Sequence, residues 1–248
     1  MAAVLVLNPN TTPSMLDGVL AAARRFMPGG CVVEGASAQR GVAVVASRAA
    51  YAIAAQSVLE IWARYRAGGH PPPAAAVVAC FGDPGVPALR ELAGVPVFGL
   101  AEAALRRAGE EFGRIAVVTA GQPWQAMLDE LVARLALTHQ YAGTFAADTT
   151  GLAGVADRPR FIAAMQDAID RAQHSGARAI VLGGAALAGF APEFRSSVRL
   201  VDGVDYAFAF VAAQLHSSAG QACRAAVPPI ASAGLAPELA ALLASPWP

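Results

Sequence analysis

Cys80 is the residue of this sequence whose type and position most clearly offer chemistry. It ends the apolar run Ala75–Cys80, which predicts a buried strand, and the turn Phe81-Gly-Asp-Pro-Gly85 follows it. At such a strand end, backbone N–H groups and a helix N-terminus can stabilise a thiolate or the anion of a substrate. The alternative is that Cys80 is a small buried hydrophobic residue, as free cysteines often are.

The absence of lysine narrows the chemistry available. All 18 basic residues are arginines, which excludes Schiff-base enzymes, pyridoxal-phosphate enzymes and the lysine-containing phosphate loop. The sequence contains no dinucleotide-binding glycine motif after a strand and no G-x-S-x-G nucleophile turn. The four histidines are far apart and lack a carboxylate at zinc-site spacing. We therefore expect no cofactor and no metal ion, and we predict structural roles for Cys31 and Cys223.

Charge and hydropathy argue against nucleic-acid and membrane partners. The 18 basic and 18 acidic residues cancel, and only 15% of the 248 residues are charged. Mean hydropathy is +0.46, yet the longest apolar stretch, residues 179–192, is shorter than the roughly 20 residues of a membrane helix. The first residues have no basic signal-peptide start, and three cysteines are too few for a disulfide framework. We predict a cytoplasmic protein with a sizeable core.

Strand-like and helix-like segments alternate along the chain. The predicted strands are Val4–Leu7, Cys31–Glu34, Ala75–Cys80, Val95–Gly99, Arg114–Thr119 and Ala179–Leu182. The predicted helices are Thr12–Phe26, Ala49–Tyr65, Ala101–Gly109, Pro123–Leu137, Phe161–Ser175, Val204–Leu215 and Pro237–Leu243. A proline- and alanine-rich tail follows Gly220. This alternation predicts an α/β fold with parallel sheets flanked by helices.

The second half of the chain repeats features of the first. The polar turn after Leu7 has a counterpart after Val118, and the glycine turn after Ala79 has a counterpart after Leu182. Ligands of open parallel sheets bind beyond the carboxyl ends of the strands, where all four turns are predicted. We therefore expect two similar lobes with a site in the cleft between them.

Three motifs in this order resemble the aspartate/glutamate/hydantoin racemase superfamily, and its hydantoin and allantoin racemase branch above all. They are Asn8-Pro-Asn-Thr-Thr12, Ala79-Cys-Phe-Gly-Asp-Pro-Gly85 and Val201-Asp-Gly-Val204. The resemblance implies two Rossmann-like lobes related by a pseudo-twofold axis, with the active site in the interlobe cleft. It places residues 1–112 and about 200–248 in the first lobe and residues 113–199 in the second. It also implies a cofactor-independent homo-oligomer that acts on a small molecule.

The resemblance implies acid–base chemistry at Cys80 and shows one departure from the family pattern. Family racemases use two cysteines, one on each face of a carbon next to a carbonyl. In this sequence Gly184, within Leu182-Gly-Gly-Ala-Ala186, replaces the second cysteine. A racemase-like isomerase acting on a carboxylate, amino-acid derivative or hydantoin remains the main prediction. One-thiol chemistry like that of arylmalonate decarboxylase, or a pseudoenzyme that only binds such a molecule, are the alternatives.

Further substrate-binding residues are implied by the same resemblance. They are Asn10 and Thr11 in the first turn, Thr119 and Gly121 in its second-lobe counterpart, and Gly183 beside Gly184. The backbone N–H groups of Phe81, Gly82 and Ala185 are expected to bind an anionic oxygen. Capping or turn formation is the alternative for Asn10, Thr11 and Thr119, and core packing is the alternative for Phe81 and Trp124.

Overall fold

Two four-stranded parallel sheets form the framework of the chain. The computed structural model describes residues 2–150, 157–216 and 228–245, so Cys223 and part of the proline- and alanine-rich tail lie outside the described residues. The strands of the first sheet are β1 (Ala3–Asn8), β2 (Val32–Ser37), β3 (Ala75–Val78) and β4 (Val97–Gly99), in the order β2-β1-β3-β4. Strand β3 is apolar throughout and β1 is apolar up to its last residue, Asn8, and both are almost completely buried, as the central strands of a sheet covered on both faces must be.

The second sheet repeats the arrangement of the first. Its strands are β5 (Ile115–Ala120), β6 (Tyr141–Ala147), β7 (Ala179–Leu182) and β8 (Arg199–Asp202), in the order β6-β5-β7-β8. The α/β class with parallel sheets is therefore confirmed, and so is the internal repeat. The sequence analysis missed β6 and β8. Strand β6 contains Gly143 at a positive φ of 125° and pairs with β5 through a register shift, which weakens its strand signal.

Helices cover both sheets. They are α1 (Pro13–Phe26), α2 (Arg48–Ala67), α3 (Val86–Ala93), α4 (Leu100–Phe112), α5 (Trp124–Arg134), α6 (Arg158–Gln173), α7 (Gly203–His216) and α8 (Pro237–Ala244). Short 3₁₀ turns occur at Thr138–Gln140, Ala185–Leu187 and Ala191–Glu193. Helix α3 was not predicted because left-handed glycines flank it at Gly85 and Gly94 and a proline lies in its first turn, so its sequence resembles a series of turns. No described helix is long and apolar enough to cross a bilayer.

A continuous hydrophobic core joins the two sheets. Buried side chains of β3 and β7, including Val77 and Val181, belong to the same cluster as the facing residues of α4 and α7. Helix α7 follows the second sheet in the chain but packs against α1 and α4 of the first half. The predicted lobe boundary near residue 200 stays a prediction. Strand β8 of the second sheet ends at Asp202, two residues beyond it.

Candidate active site

Residues that follow the four central strands line one cavity. The cavity measures about 90 Å³, and its wall includes Asn10 after β1, residues 79–81 after β3, Thr119 near the end of β5 and residues 183–187 after β7. These are the carboxyl ends of parallel strands, where open α/β sheets bind ligands. Strand β3 ends at Val78 rather than at Cys80 as predicted, because the Cys80 N–H donates back to the Val78 carbonyl at 3.0 Å and turns the chain.

The Cys80 thiol lies in apolar surroundings. Its residue is 8% exposed and belongs to a cluster with Val45, Ala50 and Ala54. This burial raises the pKa of the Cys80 thiol well above its ordinary value, and the negative charge of Asp83 raises it further. This burial therefore argues against the expected stabilisation of a thiolate at Cys80. The resting side chain is a protonated thiol, which is a proton donor.

Asp83 is a buried carboxyl group that the sequence analysis missed. Its Oδ1 accepts the Ala101 N–H at 2.8 Å and its Oδ2 accepts the Glu102 N–H at 2.7 Å, so it satisfies the first turn of α4. Burial nevertheless raises the pKa of Asp83 to about 7. The sequence signal was an aspartate within the turn Gly82-Asp-Pro-Gly85, because aspartate is one of the few residues that readily adopt the left-handed backbone observed here, with φ of 57°.

Asn10 and Thr119 offer hydrogen-bond donors to the cavity. They are 5% and 4% exposed, respectively, and both line the wall. Asn10 Oδ1 accepts the Thr12 N–H at 2.9 Å and an Asn8 Nδ2–H at 3.2 Å, which orients the amide. Within the described residues, neither Asn10 Nδ2 nor Thr119 Oγ1 has a hydrogen-bond partner. These groups can therefore bind a carbonyl oxygen on which negative charge develops.

Among the described residues, two of the three backbone N–H groups predicted to bind an anionic oxygen are also free to donate. The N–H groups of Phe81 and Ala185 donate to no group in the described part of the chain. By contrast, the Gly82 N–H donates to the Cys80 carbonyl at 2.8 Å. The prediction that Gly82 contributes an anion-binding N–H is therefore wrong, because that N–H closes the turn that holds Cys80.

Gly184 is on the wall of the cavity, and no second acid or base accompanies it. Of the described residues lining the cavity, Cys80 alone carries an ionisable side chain. The three atoms nearest to a Cβ atom on Gly184 would all belong to the Leu187 side chain, and the Gly184 φ of 165° is extended backbone that any residue adopts. Gly183 differs, because a Cβ there would lie 2.7 Å from the Phe81 ring and 2.8 Å from Val117 Cγ1.

Two other predicted contacts lie outside the cavity wall. Thr11 donates its N–H to the Val42 carbonyl at 3.0 Å, and Gly121 donates to the Ala147 carbonyl at 3.1 Å. Gly121 also adopts a positive φ of 100°, which explains its glycine as a turn residue. Within the described residues, no group of three or more histidines, cysteines or carboxylates could hold a metal ion.

The repeated parallel sheets and the shared cavity at their strand ends define a two-sheet α/β protein with a cysteine in its candidate active site. A family model described as "Asp/Glu/Hydantoin racemase" matches residues 4–211. The chain therefore belongs to the Asp/Glu/hydantoin racemase family, which confirms the resemblance. A hydantoin racemase from Paenarthrobacter aurescens is 31% identical over 207 residues, covering 82% of this chain and 87% of its own.

Solved structures of related proteins have the same fold. The allantoin racemase from Klebsiella pneumoniae superposes with a TM-score of 0.80 at 30% identity, covering 89% of this chain and 90% of its own. A double mutant of arylmalonate decarboxylase superposes with a TM-score of 0.61 at 18% identity, covering 87% and 92%. This second likeness shows the fold alone.

Proposed function

We propose that this racemase-family protein is a cofactor-independent enzyme that transfers a proton at a carbon next to a carbonyl, with Cys80 as the acid and base. The observation that carries the proposal is that Cys80 is the one ionisable side chain among the described residues of a cavity at the strand ends. The Asn10 amide and the Thr119 hydroxyl support it, because an enolate oxygen needs such donors. The relatives named above are hydantoin and allantoin racemases.

The lining of the cavity favours a small uncharged ring as substrate. None of its described residues is an arginine or a carboxylate, whereas an amino-acid zwitterion or a dicarboxylate would lose its hydration without gaining a counter-charge. A volume of about 90 Å³ holds about six to nine water-sized groups. A hydantoin ring with a short substituent has this size and polarity, so we propose hydantoins as the substrate class.

The proposed reaction uses the minor thiolate form of Cys80, which arises when the thiol gives its proton to water, and this thiolate removes the proton from the substrate carbon. The electron pair of the C–H bond moves into the carbonyl, and the enolate oxygen accepts hydrogen bonds from Asn10 Nδ2 and Thr119 Oγ1. The Cys80 thiol then returns a proton to the carbon. Because Gly184 supplies no thiol, Cys80 reprotonates the face from which the proton came, and exchange of the thiol proton with solvent before this step incorporates solvent hydrogen. Inversion then requires water to deliver a proton to the other face, so hydrogen exchange outpaces inversion.

The raised pKa of the Cys80 thiol supports a second candidate, decarboxylation of a malonate, although the uncharged lining provides no counter-charge for the two carboxylates. When a malonate loses carbon dioxide, the electron pair of the broken C–C bond stays on the carbon, and no base is needed. The resting thiol then protonates that carbon, and the resulting thiolate recovers a proton from water. The third possibility is binding without turnover, which the replacement of the second cysteine by Gly184 supports.

The test uses single enantiomers of 5-substituted hydantoins in D₂O, with a disubstituted malonate alongside. We expect the hydantoin to gain mass by deuterium incorporation faster than it loses optical rotation. The Cys80→Ala variant should show neither change. Carbon dioxide release from the malonate by wild type alone would favour the decarboxylase. A ligand-induced rise in Tm that survives Cys80→Ala, without turnover of any compound, would favour the binding protein. Exchange by Cys80→Ala at the wild-type rate would contradict the proposal.

A further inference from the structure

A segment of the first half of the chain closes one side of the cavity. Residues 38–47, named here the β2–α2 segment, contribute Val44 and Val45 to the cavity wall. The turn after β1 holds this segment, because Thr12 Oγ1 donates to the Ala43 carbonyl at 2.8 Å. The segment is therefore anchored on the side of its own sheet.

Trp124 anchors the same segment from the other sheet. It is the first residue of α5, which follows β5, and its indole Nε1 donates to the Val45 carbonyl at 3.1 Å. The six-membered part of its ring lies so close to Gly82 that a Cβ there would overlap Cζ3 and Cη2. Trp124 also lines the cavity and packs against the apolar cluster that contains Cys80. The indole is thus part of the cover over the thiol.

A second link to α5 lies away from the cavity and starts from α2, the helix that follows the β2–α2 segment. Arg48, which begins α2, forms a two-pronged ion pair with Glu130 of α5, with N–O distances of 2.7 and 2.5 Å. Their side chains are 63% and 58% exposed, so the pair contributes little to holding the segment. This ion pair offers a matched control for Trp124, because it also joins α5 to the chain beside the β2–α2 segment but does not touch the cavity.

We propose that Trp124 is a specificity-determining residue that limits the size of the group admitted beside Cys80 and holds the β2–α2 segment closed. The indole occupies volume at the cavity wall, so its removal enlarges the space next to the thiol. Its N–H is the cross-sheet hydrogen bond that must break before Val45 can move away. Size limitation and closure therefore depend on separate parts of one side chain, and separate variants can distinguish them.

The test measures how fast maleimides of two sizes alkylate Cys80, followed by mass spectrometry of individual peptides. Wild type should react faster with N-methylmaleimide than with N-phenylmaleimide. Trp124→Ala should raise the phenyl-to-methyl rate ratio by about tenfold, because a pocket discriminates by at least that factor for groups of this size difference. Arg48→Ala should leave the ratio within about twofold of wild type. Cys31, which is outside the cavity wall, is the internal reference for reagent reactivity.

Trp124→Phe separates the two roles and covers the case in which Trp124→Ala does not fold. It keeps most of the ring but loses the N–H, so both alkylation rates should rise by about fivefold, the factor that corresponds to losing one hydrogen bond. The phenyl-to-methyl ratio should change little. An unchanged ratio in a folded Trp124→Ala would overturn size limitation, and unchanged rates in Trp124→Phe would overturn closure. Unfolding of Trp124→Phe, judged by Tm, would show a structural role and would also overturn the proposal.

The corresponding kinetic measurement rests on the proposed function. With 5-methylhydantoin and 5-benzylhydantoin, Trp124→Ala should raise the relative kcat/KM for the benzyl compound by about tenfold, and Arg48→Ala should not. Failure of wild type to act on either compound would contradict the hydantoin proposal but not the role of Trp124, which the alkylation ratios decide independently.

Discussion

Leu187 Cγ lies 3.2 Å from the position that a Cβ atom on Gly184 would occupy. The contact is tight, but its partner is a flexible side chain rather than backbone. Gly184 also has an extended conformation, so glycine is not required there for backbone reasons. The cavity can therefore receive a second thiol at small structural cost.

Gly184→Cys should accordingly increase inversion more than exchange. A thiol on the second-sheet side of the cavity would supply the proton donor that the present chain lacks, and positioned acids of this kind contribute about 10²-fold or more. The measurement compares loss of optical rotation with deuterium incorporation for one hydantoin enantiomer. Gly184→Ala, which adds the Cβ without the sulfur, is the control. Equal inversion rates in the two variants would contradict the role assigned to this position.

Thr119→Val should lower kcat without lowering stability. The substitution keeps the shape of the buried side chain but removes the hydroxyl, which has no partner among the described residues and which the proposed mechanism places on the enolate oxygen. Loss of one such donor costs about 100-fold in kcat. Steady-state exchange kinetics measure the effect, and Thr119→Ser, which keeps the hydroxyl, should retain most activity. A kcat of Thr119→Val close to that of wild type would remove Thr119 from the mechanism.

Asp83→Asn should shift the pH dependence of Cys80 alkylation to lower pH. Ionised Asp83 raises the pKa of the Cys80 thiol, because a neighbouring negative charge disfavours the thiolate. Removal of that charge lowers the pKa, so thiolate forms, and iodoacetamide reacts, at lower pH than in wild type. The rate is measured across a pH series extending above the ordinary thiol pKa.

Asp202→Asn is the matched control for this pH series. Asp202 precedes α7 and accepts a hydrogen bond from its first turn, as Asp83 does for α4: its Oδ1 accepts the Val204 N–H at 2.8 Å, but the residue does not line the cavity. Its substitution should not shift the pH dependence of the Cys80 alkylation rate. A similar shift in both variants would point to a general loosening of the fold.

Gly183→Ala should destabilise the protein more than Gly184→Ala. At Gly183 the added methyl would lie 2.7 Å from the ring of Phe81, which is 4% exposed and cannot move without disturbing the core. Overpacking of this kind costs about 1–3 kcal/mol in the free energy of unfolding. Urea denaturation of the two variants measures the difference. Equal stabilities would show that Phe81 has more room than its packing indicates.

The framework and the location of the site could be predicted because both depend on local patterns. Buried parallel strands such as Val4–Leu7 are continuous apolar runs, and glycine turns at their ends mark where a ligand binds. Strand β8 was missed because its sequence Arg-Leu-Val-Asp begins and ends with a charged residue, and its first two residues are exposed and half-buried, respectively. A short strand at the edge of a sheet carries little hydrophobic pattern.

The environment of the thiol could not be predicted because distant residues create it. The raised pKa of Cys80 arises mainly from burial among residues of α2 and the β2–α2 segment, which lie far from it in the sequence, and in smaller part from the charge of nearby Asp83. The hydrogen bond between Trp124 and Val45 joins residues 79 positions apart. At Gly82 the residue type predicted a turn, but it could not predict which carbonyl accepts the Gly82 N–H.

The two sheets repeat one strand order, yet the turns after β3 and β7 differ in their side chains. The first turn carries the sulfur of Cys80, and the second has only a hydrogen atom at Gly184. Under the proposed function, a flat prochiral intermediate held in this cavity would have chemically unlike surroundings above and below its plane. In the second candidate reaction, a malonate without handedness would then leave as predominantly one mirror-image form of its product. The loss of a single side chain from a duplicated scaffold would thereby turn a symmetric catalyst into an asymmetric one.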